Sequence, residues 1–268
     1  MEIYLVRHGE SQSNYDNKHG YLYFCGQLDV PLTERGIKSA KELSVYFKNK
    51  YIDNVYVSDL KRTRQTYEEL FPYDIPTIYT KTLRERSLGV FEGKNKEEVC
   101  KDKRFEKYFR DPNYKYFRHS FSQKAPQGES YQDVYDRVVT FIENELNQQQ
   151  RRVVIVAHQV VIRCFFVYFK MITKEKALTT EIHNCYPYLI KEGKFRVVKI
   201  SDSKMSFLPL LLVIINFSTP VTGSENLALT IIGLDIITTF SLSPSFLGGF
   251  VSFQPKESKA NGPISNNV

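Results

Sequence analysis

The sequence predicts an α/β fold, a three-layer sandwich with a mostly parallel central sheet and a small inserted cap, and three observations carry that expectation. Residues 3–6 and 153–157 are unbroken apolar runs, the pattern of strands buried on both faces rather than one. Segments with helical apolar spacing separate such runs, so strands and helices alternate along the chain. The first run is followed by Arg7-His8-Gly9 and the second by His158, which puts two histidines at the carboxyl edge of a sheet, where open α/β proteins build their sites.

Taken in order, the first strand leads into a polar loop with Asn14 and Gly20, then Gly26 and the turn around Pro31. Thr33-Glu34-Arg35-Gly36 opens a helix whose expected apolar face is Ile37, Ala40, Leu43, Val45 and Phe47. Residues 55–58 read as a short buried strand, with Arg62 just inside the helix that follows, and residues 77–80 read as another strand leading to Glu85. Residues 95–113 are charged and expected to be helical, within a cap spanning about residues 90–128. Residues 128–149 predict a long helix opened by Glu129-Ser130, and 159–171 a strongly apolar helix behind the central strand. Residues 186–190 and 195–200 predict a closing hairpin around Glu192-Gly193.

Composition changes near residue 200. All 18 tyrosines, all five histidines, all four cysteines and every arginine precede Ser201, whereas the remainder has three lysines against four acids. The expected division is therefore a domain over 1–200 and an apolar C-terminal extension over 201–268. That extension holds two apolar stretches, 207–217 and 227–240, each interrupted and shorter than the roughly 20 residues of a membrane-spanning helix. Membrane contact by this tail, an ordered addition and a poorly ordered or misspliced extension are the three readings it permits.

The hydrophobic content of 42% and charged content of 25% are those of an ordinary globule. Cys25, Cys100, Cys164 and Cys185 lack the C-x-x-C spacing of a zinc or redox site and, with no signal segment at Met1, imply reduced thiols in the cytoplasm. The net charge of +7 is dispersed and unaccompanied by an aromatic-and-basic motif, which argues against nucleic acid and suits a pocket for phosphate esters. The sequence leaves the oligomeric state open.

Arginine presents a planar fork that fits phosphate bidentately, and glycine permits close backbone approach to an anion. Arg7-His8-Gly9 with His158 thus reads as a phosphoryl site. The motifs at residues 5–11 with Asn14, 57–66, 83–86 with Gly89, 128–130 and 157–158 together resemble the histidine phosphatase superfamily, which includes cofactor-dependent phosphoglycerate mutase and fructose-2,6-bisphosphatase. The resemblance covers about residues 2–200.

The resemblance implies a phosphatase in which His8 attacks phosphorus as a neutral imidazole. Arg7, Arg62 and a protonated His158 grip the equatorial oxygens, Asn14 adds a hydrogen bond, and Glu85 serves as acid and then base. No cofactor or metal is expected, and the expected partner is a small phosphorylated metabolite. The run from His158 through Gln159 to Arg163 is similar to the bisphosphatases, as is the stretch from Arg110 to Lys115. Gln159, Arg163, Arg110 and Lys115 become candidate substrate contacts, with Gly26 beside them, and fructose 2,6-bisphosphate the first candidate. Leu83-Arg84-Glu85-Arg86-Ser87-Leu88-Gly89 is closer to the mutases and general phosphatases, so a phosphoglycerate mutase is the alternative enzyme, and a catalytically idle interaction module the alternative outside enzymes.

Plainer readings accompany these. Arg62 also fits a solvated helix position, Glu85 a surface ion pair with its arginine neighbours, and Arg163 a pairing with a nearby acid. Glu10 and Ser11 fit loop support, Glu129 and Ser130 a helix start, and His19, His119 and His183 structural roles.

Overall fold

Every second residue of a strand faces the same side of the sheet, and the two apolar runs use this to fill two separate cores. A computed structural model of the chain describes residues 1–110, 117–146, 150–191, 194–197, 227–233 and 236–242 of the 268. In it the runs form β1 (Glu2–Arg7) and β4 (Arg152–Ala157), paired in parallel with Ile3 opposite Val153 and Arg7 opposite Ala157. Ile3, Leu5, Val153 and Ile155 pack on one side with α5 (Tyr131–Asn144) and α6 (Gln159–Tyr168). Tyr4, Val6, Val154 and Val156 pack on the other with Ala40, Leu43 and Phe47 of α2 (Glu34–Phe47) and Leu70 of α3 (Lys61–Leu70). Burial on both faces is why these strands are apolar throughout.

The remaining strands are β2 (Asn54–Ser58), β3 (Thr77–Thr80), β5 (Pro187–Lys191) and β6 (Lys194–Val197), in the order β3-β2-β4-β1-β5-β6. The first four run parallel, while β5 is antiparallel to both β1 and β6. The chain therefore leaves β1 toward one edge and returns through β4 beside it. The carboxyl ends of β1, β2, β3 and β4 consequently open onto one rim.

Several helices differ from expectation: α5 runs from Tyr131 to Asn144 where 128–149 was expected, and α6 ends at Tyr168 where 171 was expected. Val45 belongs to α2 but is 72% exposed, because the buried face follows Ala40, Leu43 and Phe47 at helical spacing and Val45 falls outside it. The charged segment after Asn95 is not one helix: α4 (Lys96–Lys101) gives way to a 3-10 turn over Lys103–Tyr108. Its aromatic residues instead fold around Phe91, so that Phe24, Phe91, Val99 and Phe117, with Phe105 and Phe109 against them, form a small core belonging to the inserted cap.

The chain divides into two compact units, Met1–Asn216 and Phe217–Val268. The expected boundary at Ile200 lies earlier. In the second unit β7 (Leu227–Gly233) and β8 (Ile236–Leu242) pair antiparallel, with Gly233 opposite Ile236. Among the described residues no helix is long and apolar enough to cross a membrane. Truncation after Asn216 is expected to leave a folded chain that melts within a few degrees of the full-length protein. Loss of cooperative melting would show that the second unit is integral to the first.

Candidate active site

The rim gathers residues from four strand ends. His8 follows β1 and His158 follows β4, their rings 5.2 Å apart; Arg62 begins α3 after β2, and Glu85 follows β3 by a short 3-10 turn over Lys81–Leu83. His8 and His158 are both nearly inaccessible, and so is Arg62.

Each is fixed by its own partners. The His8 ring approaches the Gly9 carbonyl through Nδ1 at 2.7 Å, which makes Nδ1 the protonated nitrogen and leaves the lone pair on Nε2. The Asn184 amide donates to the His8 carbonyl at 2.6 Å, and the Gly9 amide donates to Thr66 Oγ1 at 3.0 Å. Gly9 was expected to let backbone approach an anion, but its missing Cβ is needed for packing. A Cβ there would sit 2.5 Å from the Gly36 carbonyl oxygen at the start of α2. Arg62 donates to the Leu28 and Gly26 carbonyls at 2.8 and 3.0 Å. Gly26 thus enters the site by holding Arg62. Arg7 donates to the Ile182 carbonyl at 2.6 Å.

Glu85 is not in a surface ion pair. Arg84 turns away to a bidentate pair with Asp59, at 2.6 and 2.7 Å, and holds that carboxyl below its usual range. The Glu85 carboxylate accepts from the Arg86 amide at 2.7 Å and lies 3.5 Å from the Val160 amide at the start of α6. Arg163 is buried and donates to the Thr180 carbonyl and the Tyr131 hydroxyl, both at 2.6 Å, rather than to an acid. Gln159 is the first residue of α6, one turn before it.

The other expected contacts fall differently. Asn14 Oδ1 accepts from the Ser11 amide at 3.2 Å in a capping box on α1 (Gln12–Lys18), leaving only its NH2 for a ligand. Arg110 is solvent-exposed in the cap, 3.8 Å from Glu106, and no described contact joins it to His8, Arg62 or Glu85. Lys115 lies outside the described residues. Ser130 caps α5 in a box with Asp133, whereas Glu129 pairs with Arg137. Glu10 is buried and bonds to Thr33 and Lys18, and Ser11 caps α1, so both support the loop. His19 stacks on Tyr15 and His183 lies near Glu181; the side chain of His119 is outside the described residues.

One residue with an evident place here escaped the sequence reading. Arg86 is 6% exposed, packs its guanidinium over Tyr131 at 4.6 Å, and leaves Nε and Nη1 without partners. Arg7 Nε and His158 Nδ1 are likewise buried and unpartnered. None of Arg7, Arg62, Arg86 and Arg163 takes part in an ion pair among the described residues. Glu85 is the carboxylate whose charge acts on Arg7 and Arg86; several buried cations around one acid are costly, so this arrangement suits a multiply charged anion.

That field also sets the histidines. Burial, then the Arg62 and Arg7 guanidiniums, hold the His8 imidazole well below its ordinary pKa. Burial, Arg62 and His8 do the same to His158, whose ring contacts Ser58 Oγ at 2.8 Å. The protonated His158 expected from the sequence is therefore disfavoured in the free protein; an anion bound against it would favour the charged form. Both groups bind protons more weakly folded than unfolded. Stability should consequently fall as pH drops through about 6.5, the ordinary imidazole value. Thermal melts between pH 8 and 5 should show this, and a double His8→Gln, His158→Gln variant should flatten the slope; an unchanged slope would assign it elsewhere.

A four-strand parallel rim with a neutral buried imidazole among clustered buried guanidiniums defines an α/β protein built to handle phosphoryl groups. Residues 3–203 match the model of the histidine phosphatase superfamily (branch 1), and the chain belongs to that family, whose members are phosphatases or mutases. It is 36% identical over 176 residues to a 6-phosphofructo-2-kinase/fructose-2,6-bisphosphatase of Caenorhabditis elegans, covering 62% of this chain and 34% of that one. It is 27% identical over 229 residues to 2,3-bisphosphoglycerate-dependent phosphoglycerate mutase 1 of Arabidopsis thaliana, covering 72% and 65% respectively. The chain thus spans about a third and just under two thirds of those relatives. The alpha-ribazole phosphatase of Shigella flexneri shares the fold, with a TM-score of 0.63 at 23% identity over 74% of this chain and 96% of that one. Bacillus stearothermophilus YhfR has a TM-score of 0.59 at 26% identity, over 73% and 94%.

Proposed function

We propose that the protein is a phosphohydrolase working through a phosphohistidine on a small metabolite with two anionic groups, fructose 2,6-bisphosphate being the first candidate. The observation that supports this most is the cluster of Arg7, Arg62, Arg86 and Arg163, none of them in an ion pair among the described residues, with Glu85 the carboxylate whose charge reaches Arg7 and Arg86. One phosphoryl group needs Arg7 and Arg62; Arg86 and Arg163 are charge in excess of that, suited to a second anionic group.

In this reading the His8 Nε2 lone pair attacks phosphorus as the ester P–O bond breaks. Arg7, Arg62 and His158 neutralise the oxygens of the transferring group. Glu85 gives its proton to the departing alkoxide, and as carboxylate then takes one from water, which displaces His8 from phosphorus. Gln159 and Arg163 meet the second group, with Asn14 assisting at the first.

A phosphoglycerate mutase is the second reading, favoured by the similarity to the plant mutase. It would return the phosphoryl group to a bound acid rather than to water. A screen of phosphate release across sugar bisphosphates, phosphoglycerates and nucleotides tests the two together. Release from a bisphosphorylated sugar well above the rest is the expected result, and phosphoryl exchange between phosphoglycerates without release would establish the mutase.

Arg163→Ala tests the second-group contact. A charge-assisted hydrogen bond is worth about 1.5 to 3 kcal/mol, so kcat/KM for fructose 2,6-bisphosphate should fall roughly tenfold to a hundredfold, while a simple monophosphate barely changes. Equal losses for both would return Arg163 to a packing role against Tyr131 and Thr180.

A further inference from the structure

The strand-to-turn segment that carries Glu85 is held from behind by a device that nothing in the motif pattern calls for. Arg137, on α5, donates Nη1 to the Thr82 carbonyl at 2.5 Å and Nη2 to the Arg84 carbonyl at 2.6 Å, with the Glu85 carbonyl 3.3 Å from the same nitrogen. The guanidinium is itself oriented by Glu129, with Nε to Oε1 at 2.9 Å and Nη2 to Oε2 at 3.2 Å. Glu129 Oε2 then accepts the Ser87 amide at 2.8 Å. Gln27 closes the circuit, its amide nitrogen donating to the Glu85 carbonyl at 2.9 Å and reaching Glu129 Oε2 at 3.4 Å.

One ion pair therefore grips the backbone on both sides of Glu85, from Thr82 to Ser87, without touching its carboxylate. Both partners are mostly shielded, with side-chain exposures of 19% and 24%, so the pair is screened less than a surface one. Two glycines bring Glu129 within reach. A Cβ on Gly89 would collide with the Pro126 carbonyl, and one on Gly128 would lie 2.8 Å from the Ser87 carbonyl oxygen. The chain around Ser87 and the chain before α5 are thereby in backbone contact, with the Glu129 amide donating to the Ser87 carbonyl at 2.9 Å. Among the described residues the Glu85 carboxylate is in turn hydrogen-bonded through the Arg86 and Val160 amides, so its aim depends on where this backbone lies.

We propose that Arg137 and Glu129 are positioning residues that hold Glu85 at the angle from which it transfers a proton. This rests on the acid role given to Glu85 above. Misplacing a reacting group by about an ångström costs on the order of a hundredfold, with the chemistry otherwise intact. The cost should appear only where Glu85 matters, in esters whose leaving group must be protonated.

The test measures kcat/KM for an alkyl phosphate and for nitrophenyl phosphate in the wild type, Arg137→Met, Arg137→Lys, Glu129→Gln, Glu85→Gln and the Glu85→Gln, Arg137→Met double variant. Arg137→Met should lose about a hundredfold on the alkyl ester and much less on nitrophenyl phosphate. Arg137→Lys should not restore it, since one ammonium cannot span two carbonyls and a carboxylate in fork geometry. In the Glu85→Gln background, Arg137→Met should add almost nothing. Equal losses on both esters, or full additivity in the double variant, would make the pair a matter of general stability and overturn the proposal. Where Arg137→Met melts too low to assay, Glu129→Gln, which keeps an oxygen acceptor for the Ser87 amide, carries the same expectation at smaller size. If Glu85→Gln itself loses equally on both esters, the acid role fails and the positioning role with it, an outcome distinct from additivity beside an intact acid role.

Discussion

His8→Ala is expected to abolish both turnover and formation of a phosphoenzyme while leaving the fold in place. The fold should survive because the ring contributes mainly the contact of Nδ1 with the adjacent Gly9 carbonyl. The backbone of the loop is held independently by Asn184, Thr66 and the close approach of Gly36. Chemistry should not survive, because His158 differs in the nitrogen it leaves open: its Nε2 meets Ser58 Oγ, whereas His8 engages Nδ1 and keeps Nε2 free. Trapping from labelled substrate should give an acid-labile, base-stable adduct on the wild type and none on the variant. Equal labelling of both would remove His8 from the nucleophile position, and residual turnover near wild type would remove the covalent intermediate.

How far the site was legible follows from what kind of signal each residue left. The strands with residues on both faces in apolar cores announced themselves as unbroken runs, and the residues just past their ends, His8 and His158, came with them. Arg62 and Glu85 follow β2 and β3 on the same rim, so strand order alone brings them near. The cap was less legible because helical composition over its charged residues lost to the clustering of Phe105 and Phe109 about Phe91. Val45 was misplaced for a simpler reason, a two-residue step from Leu43 that a helix cannot keep on one face. Arg86 enters the sequence only as a neighbour of Glu85, because sequence does not reveal whether an arginine beside an acid points to water or into a core. The Arg137–Glu129 pair was illegible altogether: eight positions apart, it is formed only once α5 packs behind the loop after β3.

Glu85→Gln should retain substrate binding yet turn over slowly, because general acid-base catalysis contributes about 10² to 10⁴ in rate. The amide keeps one oxygen, enough to accept from the Arg86 amide at the Oε1 position, and gives up only the longer 3.5 Å contact of Oε2 with the Val160 amide, so the loop need not move. What it lacks is a proton acidic enough to give to the departing oxygen and a basic site for water. The two lacks separate kinetically. Transfer from nitrophenyl phosphate to His8 needs little protonation and should stay fast, whereas breakdown of the phosphohistidine still needs a base. The variant should therefore accumulate phosphoenzyme with the good leaving group and form it only slowly with an alkyl ester, where the first step becomes limiting. Quenched-flow measurement of both phases distinguishes this from a loss of binding, which would slow neither step at saturation. If accumulation is absent with nitrophenyl phosphate and the rate loss is the same for both esters, Glu85 is not the proton carrier. Its place between the Arg86 and Val160 amides would then mark it as a residue that joins the loop after β3 to the start of α6.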